Sequence, residues 1–283
     1  MVWPAHDALM KRKPDRPGSM TRRMVALSLA GVALTQAKPS IASEPMRIAA
    51  AASVRGALDA IIARFETTRS DHRPRISVSY GSSGNHLRQI EQGAPFDLFL
   101  SADDETTMRL VKAGLTAGDG LIYAVGRLVL IAPRDRQTAH AGGGLRLDQL
   151  PNAVATGQIK KFAIANPEHA PFGARAREVL TGLGVWPALQ GRLVMGENVA
   201  QAAQFVASGG ADAGIVAASL LRLPELAAKV TSEPIPADRH TPLLQRAVAM
   251  RSAPETARRL LRYLREAEAQ SIFREHGFDS PGN

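Results

Sequence analysis

From residue 47 onward, short apolar runs alternate with stretches in which apolar residues recur every three to four positions. Strands alternating with amphipathic helices produce that pattern, so the chain reads as α/β. Residues 47–52 predict a strand and 54–66 a helix. The pair 76–80 and 85–92 repeats this, and 97–101 (DLFLS) leads into a helix running from 103 or 104 to about 112. Right-handed crossovers then place the three strands in parallel. Residues 121–132 (LIYAVGRLVLIA) form one apolar run, too long for an ordinary strand and suited to crossing between domains. After a loop at 133–145 the theme returns: strand 161–165, turn 166–173, helix 174–183, strand 192–195, helix 199–207, strand 212–216 and a helical turn at 217–221. The chain comes back through 234–242 into a strand at 244–250 and a basic helix at 254–275. Two similar α/β units with a late return predict two lobes, 44–124 plus 238–283 and 125–237. Hinges are expected near 123–127 and 234–244.

The first forty residues depart from this pattern. Lys11, Arg12, Lys13, Arg16, Arg22 and Arg23 precede an uncharged stretch, 24–37, and then Ser40-Ile41-Ala42. A basic region, an apolar region and a small-x-small site are the layout of a cleaved secretory signal peptide, here 1–42, and imply export to the periplasm. Without those residues the counts fall from 35 to 28 basic and from 26 to 24 acidic, leaving a net charge of +4. So mild a balance, with no basic cluster interleaved with aromatics, argues against nucleic acid as a partner. The chain has no cysteine, which excludes disulfides and thiolate chemistry. Its seven histidines, at 6, 72, 86, 140, 169, 240 and 276, show no metal-binding spacing, so no cation site is assigned.

Two strand-to-helix turns carry the candidate chemistry: 46–53 (MRIAAAAS) and 76–83 (ISVSYGSS), each ending in a serine. Ser53 and Ser83 are expected to cap the helices that follow, where backbone N–H groups have no intrahelical partner. Two such ends from adjacent strands aim several uncharged donors and two positive dipole ends at one place. That place suits a small, fully charged anion. The second unit offers matching helix starts. One follows 166–173, where the N–H groups of Phe172 and Gly173 are expected to be exposed. The other follows 196–198, with Asn198 as cap. Glu168 and His169 form an acid/base-like pair, but no nucleophile accompanies them. Asp103 and Asp104 suit the start of a helix, and Glu66 and Glu91 exposed faces. No nucleophile elbow or phosphate-binding loop is present, so no catalytic residue is assigned.

Several segments together resemble the periplasmic molybdate/tungstate-binding proteins of ABC uptake systems. They are AAAASVRGAL (49–58), GSSGNHLRQIEQGAPFDLFLSAD (81–103), ANPEHAPFG (165–173), GENVAQAAQFV (196–206) and ADAGIVAAS (211–219). The resemblance implies a type II periplasmic binding protein fold, with mixed, mainly parallel sheets and an interlobe cleft. It implies a monomeric receptor without a cofactor, which passes molybdate or tungstate to a membrane permease. Carried over by position, the ligands would be Ser53 and Ser83, through hydroxyl and N–H, and the N–H groups of Phe172 and Val199. Molybdenum would be held as the oxyanion through those same residues. Ala52, Ser82, Asn198 and Ala217 would line the cleft. Many relatives carry a tyrosine hydroxyl where this chain has Ala217, so that bond is absent here, and the Phe172 ring is expected to cover the cleft. The alternatives are a receptor for sulfate, thiosulfate or another tetrahedral oxyanion, an oxyanion-sensing effector domain, and a secreted enzyme on the same scaffold.

Overall fold

A computed structural model describes residues 45–67, 75–135 and 144–282. The signal-peptide reading and most of the loop expected at 133–145 fall outside them. Strands β1 (Met46–Ala51), β2 (Ile76–Gly81), β3 (Leu98–Leu100), β4 (Leu121–Gly126) and β10 (Leu243–Ala249) form one five-stranded sheet in the order β2-β1-β3-β10-β4. Strands β5 (Leu128–Pro133), β6 (Phe162–Ala165), β7 (Leu193–Gly196), β8 (Ala213–Ala217) and β9 (Val230–Pro234) form the other, ordered β7-β6-β8-β5-β9. In each sheet three strands run parallel, β2-β1-β3 and β7-β6-β8. Of the other two, β10 and β5 run antiparallel to both their neighbours, so β4 and β9 point the same way as the parallel three. The two lobes thus repeat one plan.

Each sheet carries its own core. Ile48, Leu58, Ile61, Leu98, Phe99, Leu100 and Leu260 pack around the first; Leu130, Ile131, Phe162, Ile164, Leu180, Val206 and Ile215 pack around the second. The parallel strands β1 and β6 are buried along nearly their whole length, which is why both read as continuous apolar runs rather than alternating ones. The long run 121–132 does cross between the lobes. It divides at Arg127, its one charged residue, with β4 in the first sheet and β5 in the second.

The helices α1 (Arg55–Thr67), α2 (Ser83–Glu91), α5 (Pro171–Gly182) and α7 (Val199–Ala207) follow β1, β2, β6 and β7. Their N-termini therefore lie at the carboxyl ends of parallel strands, where open α/β sheets bind ligands. The expected helix at 254–275 is two helices, α9 (Glu255–Tyr263) and α10 (Ala267–Glu275). The break re-aims α10 so that Phe273 packs on the buried Tyr123, their ring centroids 5.2 Å apart. The remaining helices are α3 (Glu105–Lys112), α4 (Leu150–Ala155), α6 (Trp186–Leu189) and α8 (Pro224–Ala227).

Candidate functional site

Five chain segments meet in one small cavity. Its walls are Ala51, Ala52 and Ser53 at the end of β1; Gly81, Ser82 and Ser83 at the end of β2; Ala102 after β3; Ala170, Pro171 and Phe172 at the start of α5; and Asn198 and Val199 at the start of α7. No charged side chain is among them. The space admits the centre of a water-sized sphere over about 10 Å³, so the walls are drawn closely together. Seven of the eight residues singled out from sequence line it; Ala217 does not. Ala217 is the last residue of β8, buried and paired with Leu128.

The donors left for a guest in this space follow from which N–H groups the helix starts have already used. In α2 the Gly84 N–H donates to the His169 carbonyl (2.9 Å), Asn85 N–H to Ser82 Oγ (3.4 Å) and His86 N–H to the Ser82 carbonyl (3.1 Å). Ser83 N–H is left over. In α7 the Asn198 side chain accepts from Ala200 and Gln201 (3.0 and 3.1 Å), and its carbonyl accepts from Ala202 (3.2 Å), leaving Val199 N–H. In α5 Pro171 has no N–H, and Gly173 and Ala174 both donate to the Ala170 carbonyl (2.9 and 3.1 Å). Phe172 N–H remains, whereas the expected exposure of Gly173 N–H is corrected because that donor is spent. After β1 the chain makes a 3-10 turn, Ala52–Val54, with Ala51 as its N-cap and Arg55 N–H donating to the Ala52 carbonyl at its end, so Ser53 N–H, in the first positions of the turn, has no partner within it.

The capping assignments need the same correction. Ser82, not Ser83, caps α2, and Ser53 sits inside a turn whose cap position is Ala51. Both displaced serines are left with hydroxyl protons to give. Ser83 Oγ accepts the Ala102 N–H at 2.9 Å, which orients its lone pair toward the protein and frees its O–H. Ser53 Oγ is buried and has no hydrogen-bond partner. An unsatisfied buried hydroxyl costs about 1–3 kcal/mol unless a guest takes it up. The cavity therefore offers four N–H groups and two O–H groups, and no formal counter-charge.

Groups with acid/base potential are otherwise engaged. His169 Nδ1 lies 3.0 Å from Ser82 Oγ. Desolvation, and then the neighbouring Arg88, hold the imidazole below its ordinary pKa against the opposing pull of Glu197 and Glu168. A neutral ring can accept the Ser82 proton. Glu168 is exposed and faces Arg177 at 3.3 Å. Asp103 Oδ1 accepts the Thr106 N–H (3.2 Å) and the Ser101 hydroxyl (2.9 Å), and Glu91 pairs with Arg109 (2.9 Å). None of these carboxylates lines the cavity. Sequence reasoning missed Ala51, Gly81, Ala102, Ala170 and Pro171, small or rigid residues whose only signal was adjacency to the turns.

A family model described as bacterial extracellular solute-binding protein matches residues 46–279. The chain is 34% identical over 263 residues to the molybdate-binding protein ModA of Azotobacter vinelandii, covering 92% of this chain and 98% of that protein. The structure of the Azotobacter vinelandii periplasmic molybdate-binding protein aligns with a TM-score of 0.72 at 30% identity, over 84% of this chain and 100% of that one. The sulfate-binding protein SubI of Mycobacterium tuberculosis shares the fold, with a TM-score of 0.68 at 18% identity over 83% of this chain and 86% of that one.

Proposed function

The chain belongs to the bacterial extracellular solute-binding proteins, and from that membership we propose that its uncharged cavity captures molybdate or tungstate for an ABC transporter. It is a binding protein and not an enzyme; the anion is cargo, and the membrane permease is the partner to which it is delivered. The observation that carries this reading is a small cavity lined by unspent donors and by no charged side chain. Hydrogen bonds to a charged group contribute about 1.5–3 kcal/mol each. Six of them, less ordering and closure costs, reach the roughly 12 kcal/mol of a nanomolar complex. The absence of a lining carboxylate works against protonated anions such as hydrogen phosphate, whose O–H finds no acceptor there.

Within this reading the ligands are Ser53 and Ser83 through hydroxyl and N–H, and Phe172 and Val199 through N–H. The lobes are 44–124 plus 238–283 and 125–237. They close by bending at 123–127, where β4 passes into β5, and at 234–244, where β9 returns to β10. The protein acts as a monomer in the periplasm after loss of residues 1–42.

Titrating the protein without residues 1–42 tests the cargo. Molybdate and tungstate should raise the melting temperature and perturb the fluorescence of Trp186, while sulfate and phosphate at equal concentration do not. A response to sulfate alone would move the assignment to a sulfate-type receptor. Ser53→Ala and Ser83→Ala should each weaken molybdate binding by about 1–3 kcal/mol in calorimetry. Unchanged affinity in both would remove the two serines from the ligand set.

A further inference from the structure

We propose that Gly84 is the closure stop of the receptor: its bare Cα lets the main chain of His169 seat against α2, and that seat fixes how far the lobes shut around the anion. The proposal rests on the reading of the cleft as one that opens and closes on molybdate.

Gly84 is the second residue of α2, in the lobe of the first sheet, and His169 lies in the turn between β6 and α5, in the lobe of the second. The Gly84 N–H donates to the His169 carbonyl at 2.9 Å. A Cβ at position 84 would stand 2.7 Å from that oxygen and 3.0 Å from both the Cα and the Cβ of His169. Two of these three atoms are backbone, so the crowding cannot be relieved by swinging a side chain. All three belong to the opposite lobe. The Gly84 backbone lies outside the left-handed region, and alanine is the better helix former, so nothing within α2 itself requires glycine. The requirement comes from the approach of the other lobe.

Two further bonds flank the seat. Ser82 Oγ lies 3.0 Å from His169 Nδ1, and Asn85 Nδ2 donates to Glu197 Oε1 at 2.8 Å. Each side of the seat adjoins the cavity: Ser83, between Ser82 and Gly84, lines it; His169 is three residues before Phe172; Glu197 is two before Val199. A methyl group at 84 must move from 2.7 to 3.4 Å from the His169 oxygen to reach ordinary contact, a retreat of about 0.7 Å. That retreat draws the N–H of Phe172 away from an anion held by Ser53 and Ser83. Gly84 touches no anion oxygen in this scheme; it is a positioning residue.

Stopped-flow and calorimetric binding of molybdate to the wild type and to Gly84→Ala provides the test. The variant should release the anion at least ~10-fold faster with an unchanged association rate, since opening governs escape, and should melt like the wild type when free of ligand. Asn85→Ala, which removes a flanking bond without adding bulk, should speed release by a smaller factor. Equal release rates in Gly84→Ala and wild type would overturn the proposal, as would a lowered ligand-free melting temperature, which would place the clash inside α2. If the wild type itself gives no signal with molybdate, the cargo reading has failed. The stop is then judged with sulfate, the cargo of the alternative reading: faster release of sulfate from Gly84→Ala than from the wild type supports it, and equal release overturns it.

Discussion

Val199→Pro is expected to weaken molybdate binding by ~100-fold or more while leaving α7 and the fold in place. Val199 is the first residue of α7, the position at which proline is best tolerated, because the N–H it lacks has no intrahelical partner there. The residue before a proline must be extended, and Asn198 already is, at φ −144° and ψ 173°. The substitution thus deletes one donor and puts a ring methylene in its place. The lost bond accounts for about 1.5–3 kcal/mol, and the methylene pushed toward an anion oxygen adds to it. Calorimetry with molybdate, beside circular dichroism and melting of the ligand-free variant, checks both halves. A folded variant with wild-type affinity would remove Val199 from the ligand set.

Gly173→Ala is expected to have the largest effect on the fold itself. A Cβ there would lie 2.0 Å from the Ala165 carbonyl oxygen, 2.7 Å from its carbon and 3.0 Å from the Asn166 carbonyl carbon. All are backbone atoms at the end of β6, where α5 lies hard against the strand. Relief requires α5 to shift bodily, and overpacking of this kind costs about 1–3 kcal/mol or more. Urea unfolding of the ligand-free variant should show that loss. Molybdate binding should fall with it, because the neighbouring Phe172 N–H moves with the helix start. Lost stability with unaltered affinity would show that the anion does not depend on Phe172.

The legible parts of this fold were those fixed by local chemistry. The span of α7 and its Asn198 cap could be read directly, because an asparagine before an apolar helical pattern has one favourable use. The parallel order of the first three strands followed from handedness. Ambiguity entered at Ser82-Ser83, where two adjacent serines could each cap α2. The choice was made by a contact 19 residues along the chain, the Ala102 N–H that claims Ser83 Oγ. The spending of Gly173 N–H on Ala170 was equally hidden, since it depends on how tightly the α5 start is wound. The break after Tyr263 answers to Tyr123, a partner more than a hundred residues away. Contacts across the cleft, His169 against Ser82 and Gly84, left no trace in spacing because they exist only when two separately folded lobes come together. The division of 121–132 did leave one: a lone arginine in an otherwise apolar run marked the point where the chain changes sheets.

A cage that meets a dianion with dipoles alone, as proposed for this cavity, has an electrical consequence. No side chain on its walls can gain or shed a proton in response to the guest, so the guest's two negative charges are added to the particle in full. Loaded and empty receptors therefore differ by two units of net charge, and the loaded one should run as the more anionic in native electrophoresis. Above the range in which His169 titrates, the heat of loading should be the same in buffers of different ionisation enthalpy.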